Sequence, residues 1–227
     1  MRAMILAAGR GERMMPLTQH TPKPLLLAAG TSLIERTIRR LVGAGITELV
    51  INHAYLGQQI EAALGDGRQF GARIQYSPEG EKGLETAGGI IHALPLLGES
   101  PFLVINADIV TDYPFALLRK QPVDLAHLIL VPNPAHHPHG DFHLQADSRL
   151  STDALNRFTF SGIGLYSPQL FSHAPTGATK LAPLLRAAMS ERRVTGTLFD
   201  GFWMDIGTPE RLALVEKHFM TQLPLAS

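Results

Sequence analysis

Short apolar runs alternate with helical patterns over the first half of the chain. The last of these runs, 102–106, is apolar at nearly every position, as a strand buried on both faces should be. This alternation predicts βα units and a mostly parallel sheet. The predicted strands cover residues 3–8, 48–52, 73–76 and 102–106. The predicted helices begin at a capping box formed by Ser32 and Glu35, at about residue 56 and at about residue 89.

The pattern is less regular after residue 120. Strands are predicted over 125–131 and 158–166, a helix over 181–189, and a terminal helix after Thr208. No proline- or serine-rich linker divides the chain, so we expect one domain over 1–227, with halves 1–120 and 121–220. The expected fold is α/β, a Rossmann-like three-layer α/β/α arrangement around a mixed, mostly parallel central sheet.

Composition excludes several classes of protein. Lysine plus arginine and aspartate plus glutamate both number 20, so no net charge favours nucleic acid or a membrane surface as partner. The absence of cysteine excludes a disulfide scaffold, a thiol nucleophile and a thiolate zinc site. The chain shows no signal peptide and no apolar run long enough to span a bilayer, so we expect a cytoplasmic enzyme.

Glycines follow the first predicted strand at Gly9 and Gly11, with Arg13 just beyond them. Closely spaced glycines let backbone N–H groups approach phosphate oxygens, and a guanidinium suits a polyphosphate. Met14 stands where a dinucleotide fingerprint has its third glycine, and no P-loop ending is present. A tight strand-to-helix turn is the alternative interpretation of this loop.

One lysine and two aspartates complete the candidate chemistry. Pro22 and Pro24 hold Lys23 on a stiff extended segment, where it is either a phosphate ligand or a surface lysine. Asp108 follows the buried strand and Asp205 precedes the last helix, so each is a candidate metal ligand or a helix cap. Two carboxylates suffice for Mg²⁺ when phosphates supply the remaining oxygens.

These motifs together resemble the sugar-1-phosphate nucleotidyltransferases. The similar segments follow the family order over nearly the whole chain, at 4–18, 22–25, 84–89, 106–108, 160–163 and 203–208. The resemblance implies the nucleotide-diphospho-sugar transferase type of fold, with a nucleotide-binding half (1–120) and a sugar-binding half (121–220). Longer relatives carry a C-terminal β-helix, which we do not expect here.

Further segments resemble the subgroup that acts on N-acetylmuramic acid α-1-phosphate, at 52–53, 56–60, 77–81, 140–142 and 180–185. This implies transfer of UMP from UTP to that sugar phosphate, giving UDP-N-acetylmuramic acid and pyrophosphate in peptidoglycan recycling. The alternatives are a guanylyl-, thymidylyl- or uridylyltransferase acting on mannose or glucose 1-phosphate, and a non-catalytic nucleotide-sugar sensor. We expect UTP and a sugar 1-phosphate as partners, and a monomer or small homo-oligomer.

The resemblance also implies roles for individual residues. The implied catalytic residues are Arg13, Lys23, Asp108 and Asp205, of which Asp108 and Asp205 would hold Mg²⁺. The implied nucleotide-binding residues are Leu6, Ala7, Ala8, Gly9, Gly11, Glu12, Arg13, Lys23, Glu79, Gly88 and Asn106. The implied sugar-phosphate-binding residues are Gly140, Ser161, Gly162, Lys180 and Asp205.

The chain departs from the family pattern in two places. Ala107 stands where most members have glycine, and 153–157 lacks the usual Glu-Lys-Pro, whose lysine contacts the sugar phosphate. Lys180 or Arg157 are candidates to replace that lysine.

Base and sugar recognition have their own candidates. Glu79, with the N–H of Gly80 or Gly88, is the first candidate to read uracil, and Gln75 is the second. Four histidines in the loop 133–143 could bind a metal, but Pro134 and Pro138 disfavour convergent imidazoles. We expect this loop to cover the sugar and to read its lactyl carboxylate, and we expect Trp203 to pack in the core. The histidines are His136, His137, His139 and His143.

Overall fold

The computed structural model describes residues 1–80 and 83–222 and centres on a seven-stranded sheet. The strands are β1 (Arg2–Leu6), β2 (Leu27–Ala28), β3 (Thr31–Ser32), β4 (Glu48–His53), β5 (Arg73–Pro78), β6 (Phe102–Asn106), β7 (Ile109–Thr111), β8 (Ala126–Val131), β9 (His143–Leu144), β10 (Leu150–Ser151), β11 (Thr159–Tyr166), β12 (Val194–Leu198) and β13 (Trp203–Asp205). The α-helices are α1 (Leu33–Gly43), α2 (Gly57–Leu64), α3 (Glu85–Leu97), α4 (Leu181–Ser190) and α5 (Pro209–Gln222). The 3₁₀ turns are Glu12–Met14, Lys23–Leu25, Arg68–Phe70, Phe115–Lys120 and Pro168–Phe171.

The main sheet has the order β12-β8-β11-β6-β1-β4-β5 and contains strands from both halves of the chain. Only β11 runs antiparallel to its neighbours, so the sheet is mixed and mostly parallel. Alternate residues of β1 point to opposite faces: Ala3 and Ile5 pack with α1 and α2, and Met4 packs with α3 and α4. The three-layer α/β/α prediction is confirmed.

Two local predictions need correction. Ser32 accepts the Glu35 N–H at 3.3 Å, but the Glu35 carboxylate pairs with Arg39 at 2.7 Å, so only half of the capping box forms. The predicted start of α3 near residue 89 is wrong, because the helix begins at Glu85. Its first amides donate to Thr179 O, a long-range contact that local periodicity does not reveal.

A small apolar cluster lies beneath the glycine loop and joins it to the end of the chain. Buried Met14 from the loop packs with Val110 of β7, with Ile206 just after β13, and with Val215 of α5. The cluster therefore fixes the β7–β13 pair against the loop that follows β1. Within the described residues, no helix has the length and apolarity needed to cross a membrane.

Candidate active site

A cavity of about 410 Å³ opens at the carboxyl ends of β1, β4 and β6, the edge at which open α/β sheets bind ligands. The glycine loop, the end of β6 and the segment before α3 form its walls. Most of the predicted nucleotide-binding residues line it, namely Leu6, Ala7, Ala8, Gly9, Gly11, Lys23, Glu79 and Asn106, together with Asp108.

The loop after β1 presents backbone rather than side chains to this cavity. Gly11 has a φ of 66°, and a Cβ there would lie 3.0 Å from Thr18 Cγ2 and 3.1 Å from Lys23 Cβ, so glycine is required. Gly9 faces open space, where a Cβ would meet nothing within 4 Å. Among the described residues, the N–H groups of Gly9 and Gly11 donate to no protein acceptor, so they are available to an anion.

An open cleft of about 530 Å³ continues from the cavity past Gly11 and Lys23. Three cations and a single carboxylate line it, which gives a positive surface suited to a polyphosphate chain. The predicted residues Glu12 and Arg13 lie in this cleft and not in the main cavity. Its lining residues are Arg10, Gly11, Glu12, Arg13, Met14, Lys23 and Gly207.

Lys23 forms an ion pair with Asp108 at the junction of cavity and cleft. Its Nζ donates to Asp108 Oδ2, and the two side chains are 12% and 28% exposed. Lys23 begins a short 3₁₀ turn, so the predicted extended segment is wrong at this residue; Pro24 is buried in that turn and fixes the backbone position of Lys23. The predicted phosphate ligand and one predicted metal ligand therefore meet directly.

The second predicted metal ligand, Asp205, is the neighbour of Asp108 across a backbone ladder. Strand β13 pairs antiparallel with β7, which places Asp205 opposite Ile109, and Ile206 N–H donates to Asp108 O at 2.8 Å. Asp205 Oδ1 accepts a hydrogen bond from Arg211 Nη1 at 2.6 Å and lies 3.0 Å from His136 Nε2. The backbones of the two aspartates therefore lie side by side, although Asp205 itself is not among the residues that line the cavity or the cleft.

Sequence reasoning missed Arg211. A signal was present, because Arg211 lies in the first turn of α5, where the helix dipole disfavours a positive charge. Such a placement indicates a partner outside the helix, and that partner is Asp205.

The carboxylates of Asp108 and Asp205 could hold a hard divalent cation only if a ligand supplied the remaining oxygens. Within residues 1–80 and 83–222, no group of three or more histidine, aspartate or glutamate side chains could hold a metal ion. The protein therefore offers two carboxylates, each now balanced by a basic side chain. Ligand phosphates would have to complete the coordination of Mg²⁺.

Glu79, the first candidate for reading uracil, has both carboxylate oxygens engaged. Oε1 accepts Asn52 Nδ2 at 2.5 Å, and Oε2 accepts the Leu84 N–H at 2.7 Å. Asn52 is 2% exposed, and its Oδ1 accepts the Ala7 N–H at 2.9 Å. This chain of hydrogen bonds, here called the Asn52–Glu79 relay, connects the end of β1 with the entrance to α3.

Gly88 and Gln75, two other predicted base contacts, do not line the cavity. The Gly88 N–H donates to Thr179 O at 3.0 Å, and a Cβ there would lie 2.3 Å from Gly177 O. Gly89 approaches Glu79 instead, since its Cβ would lie 2.2 Å from Oε1.

The predicted sugar-side residues divide into two groups. Gly162 packs against Asn106, a residue that lines the cavity, because a Cβ at Gly162 would be 2.6 Å from Asn106 Nδ2. Ser161 has a structural position: its Oγ donates to Ile129 O at 2.7 Å, and its carbonyl accepts Trp203 Nε1 at 2.9 Å. Trp203 is therefore held by a hydrogen bond and is only partly buried.

The remaining sugar-side candidates lie outside the two clefts. Gly140 is buried, with Arg157 O 2.8 Å from where its Cβ would be. Arg157 donates to Thr152 O at 2.6 Å within its own loop. Lys180 is exposed at the start of α4.

Of the four loop histidines, His136 alone contacts a predicted catalytic group. His137 Nε2 lies 3.1 Å from Asp141 Oδ1, and His143 Nδ1 lies 2.7 Å from Asn156 O. His139 is exposed. The loop thus reaches the site through one imidazole.

Comparison with known proteins identifies the family. A family model described as nucleotidyl transferase matches residues 2–142. The chain belongs to the nucleotidyl transferase family. This nucleotidyl transferase is 54% identical to the N-acetylmuramate alpha-1-phosphate uridylyltransferase of Neisseria meningitidis, over 93% of the chain and 95% of the relative.

Two other similarities extend this result. An enzyme of the same name from Caulobacter vibrioides is 34% identical, over 92% of both chains. A solved structure described as a glucose-1-phosphate thymidylyltransferase of Bacillus anthracis superposes with a TM-score of 0.84 at 20% identity, covering 100% of this chain and 97% of that one. At that identity, the structural likeness supports the fold alone.

Proposed function

We propose that this nucleotidyl transferase transfers UMP from UTP to N-acetylmuramic acid α-1-phosphate, giving UDP-N-acetylmuramic acid and pyrophosphate. The observation that carries the proposal is the 54% identity to the Neisseria uridylyltransferase over nearly the full length of both proteins. The positive cleft lined by Arg10, Arg13 and Lys23 supports it, because this reaction brings together four phosphate groups. The proposed setting is peptidoglycan recycling in the cytoplasm, by a monomer or small homo-oligomer.

The reaction needs positioning and charge neutralisation more than proton transfer. The attacking oxygen belongs to a phosphate whose second pKa is about 6, so it is ionised without a general base. The free N–H groups of Gly9 and Gly11 would bind the β- and γ-phosphates, and Arg13 would balance charge on the leaving pyrophosphate.

Lys23 would turn from Asp108 to the α-phosphate and the attacking phosphate, reducing the repulsion between them. Asp108 and Asp205 would then hold Mg²⁺, together with phosphate oxygens. When bound, the ion neutralises negative charge on the reacting phosphates. Leu6, Ala7, Ala8 and Asn106 would line the nucleotide pocket, and Gly162 would border the sugar phosphate.

A substrate panel tests the proposal. Pyrophosphate release is measured with UTP, GTP and dTTP, each against N-acetylmuramic acid, N-acetylglucosamine, mannose and glucose 1-phosphates. We expect the largest kcat/KM for UTP with N-acetylmuramic acid 1-phosphate, and loss of activity when divalent metal is chelated. Equal turnover of GTP or dTTP would reject the uridylyl assignment, and nucleotide-sugar binding without any turnover would indicate a sensor.

A further inference from the structure

Arg211 is a second basic residue bound to a proposed metal ligand, since it pairs with Asp205 as Lys23 pairs with Asp108. Its side chain is 13% exposed, and its Nη1 binds Asp205 Oδ1 at 2.6 Å and lies 2.7 Å from His136 Nε2. A guanidinium in the first turn of a helix is electrostatically unfavourable unless an anion compensates it. In the free protein Asp205 supplies that compensation.

Gly207 makes room for two guanidinium groups at this point. A Cβ at Gly207 would lie 2.0 Å from Arg211 Nη2 and 3.1 Å from Arg13 Nη2. Both groups therefore approach the same small space, although their like charges repel. Among the described residues Arg13 has no hydrogen bond or ion pair of its own, so Asp205 compensates the charge of Arg211 and that of Arg13 is left uncompensated. Such a surplus of positive charge suits a bound phosphate.

We propose that Arg211 is the second cation for the sugar phosphate, and that it exchanges Asp205 for that phosphate when the divalent metal binds. The inference rests on the proposed function and deepens it. Of the other two candidates for that role, Lys180 is exposed at the start of α4 and Arg157 donates to Thr152 O within its own loop, so neither contacts a proposed metal ligand.

The assignment to the sugar phosphate follows from the surroundings of Arg211. Asp205 and His136 come from the second half of the chain, whereas the glycine loop and Arg13 come from the first half. Arg13 lines the cleft proposed for pyrophosphate, whereas Arg211 does not line it and contacts Asp205. Arg13 would thus bind the pyrophosphate, and Arg211 would bind the sugar phosphate.

The exchange predicts two effects of Arg211→Met. KM for the sugar 1-phosphate should rise about 10- to 100-fold, as expected for loss of a charge-assisted hydrogen bond, while KM for UTP changes little. Without substrates, Mn²⁺ should bind about three- to fivefold more tightly, because Asp205 has lost a partly exposed ion-pair partner. Calorimetric or spin-resonance titration measures that affinity directly.

Three further variants sharpen the test. Arg211→Lys should recover part of the sugar-phosphate affinity, because it restores the charge but not the planar fork. Gly207→Ala should displace both guanidiniums and share both effects. Arg186→Met, an exposed arginine on α4, is the matched control and should show neither effect.

Each outcome decides one part of the proposal. A raised KM for pyrophosphate in the reverse reaction, with the sugar-phosphate KM unchanged, would overturn the assignment to the sugar phosphate. Unchanged Mn²⁺ affinity would overturn the exchange at Asp205. If the substrate panel identifies another acceptor, the KM measurement uses that sugar phosphate. If it identifies none, the proposed function fails, and the Mn²⁺ titration still decides whether Arg211 competes with metal.

Discussion

Lys23 Nζ donates to Asp108 Oδ2, so the proposed phosphate ligand and a proposed metal ligand neutralise each other in the free protein. An unpaired charge that is partly buried destabilises the protein because it has lost hydration. The ion pair between Lys23 and Asp108 avoids this penalty before substrate binds. Substrate binding then requires exchange of partners.

Replacing Lys23 tests that exchange. Lys23→Ala should lower kcat by about 10²- to 10³-fold, because its main partners are phosphates brought together during the reaction. The Kd for UTP should change far less. Turnover by quenched flow and UTP binding by calorimetry separate the two effects. Lys120→Ala, at an exposed lysine, is the control. Near-normal turnover in Lys23→Ala would show that Lys23 does not act on the reacting phosphates.

The Asn52–Glu79 relay predicts a combined effect on stability and nucleotide binding. Asn52→Ala leaves the Ala7 N–H without its acceptor and should lower the free energy of unfolding by about 1–3 kcal/mol. UTP affinity should fall with it, since the relay joins two walls of the cavity. Urea unfolding and UTP titration measure both, with Gln59→Ala, at an exposed amide, as control. Unchanged stability would show that water replaces the asparagine.

His136 carries the specificity prediction for the histidine loop, because it contacts Asp205 directly. His136→Ala should reduce the preference for N-acetylmuramic acid 1-phosphate over N-acetylglucosamine 1-phosphate while sparing UTP affinity. The measurement is the ratio of kcat/KM for the two sugars. His139→Ala, at an exposed position of the same loop, should leave the ratio unchanged. A wild-type ratio in both variants would show that the lactyl group is recognised elsewhere in the protein.

Stability should depend on pH through His127, which is 3% exposed between Thr195 and Thr197. Burial lowers its pKa from 6.5 to about 4. Between these values the unfolded chain binds more protons, so the free energy of unfolding should decrease as the pH is lowered from 6.5 to 4, by roughly 3 kcal/mol in full. Urea unfolding at pH 7 and pH 4.5 should show a smaller difference in His127→Asn, whereas His92→Asn, at an exposed histidine, should behave as wild type. Equal differences in all three proteins would reject the assignment.

Local sequence signals predicted the part of the cavity that the glycine loop and Lys23 form. Gly9, Gly11 and Lys23 lie where glycine and proline fix the backbone over a few residues, and such constraints are legible in sequence. Contacts made by distant segments were not legible. Gly88 N–H donates to Thr179 O, and Arg211 contacts His136 of the distant loop 133–143. No spacing in the sequence encodes those meetings.

The ladder between β7 and β13 makes the active site sensitive to chain length. Asp205 stands beside Ile109 through backbone pairing, so the separation of the Asp108 and Asp205 backbones is fixed by register. One residue inserted just before Trp203 would turn Asp205 to the opposite face of its strand. Natural variation in this segment should therefore insert or delete residues rarely.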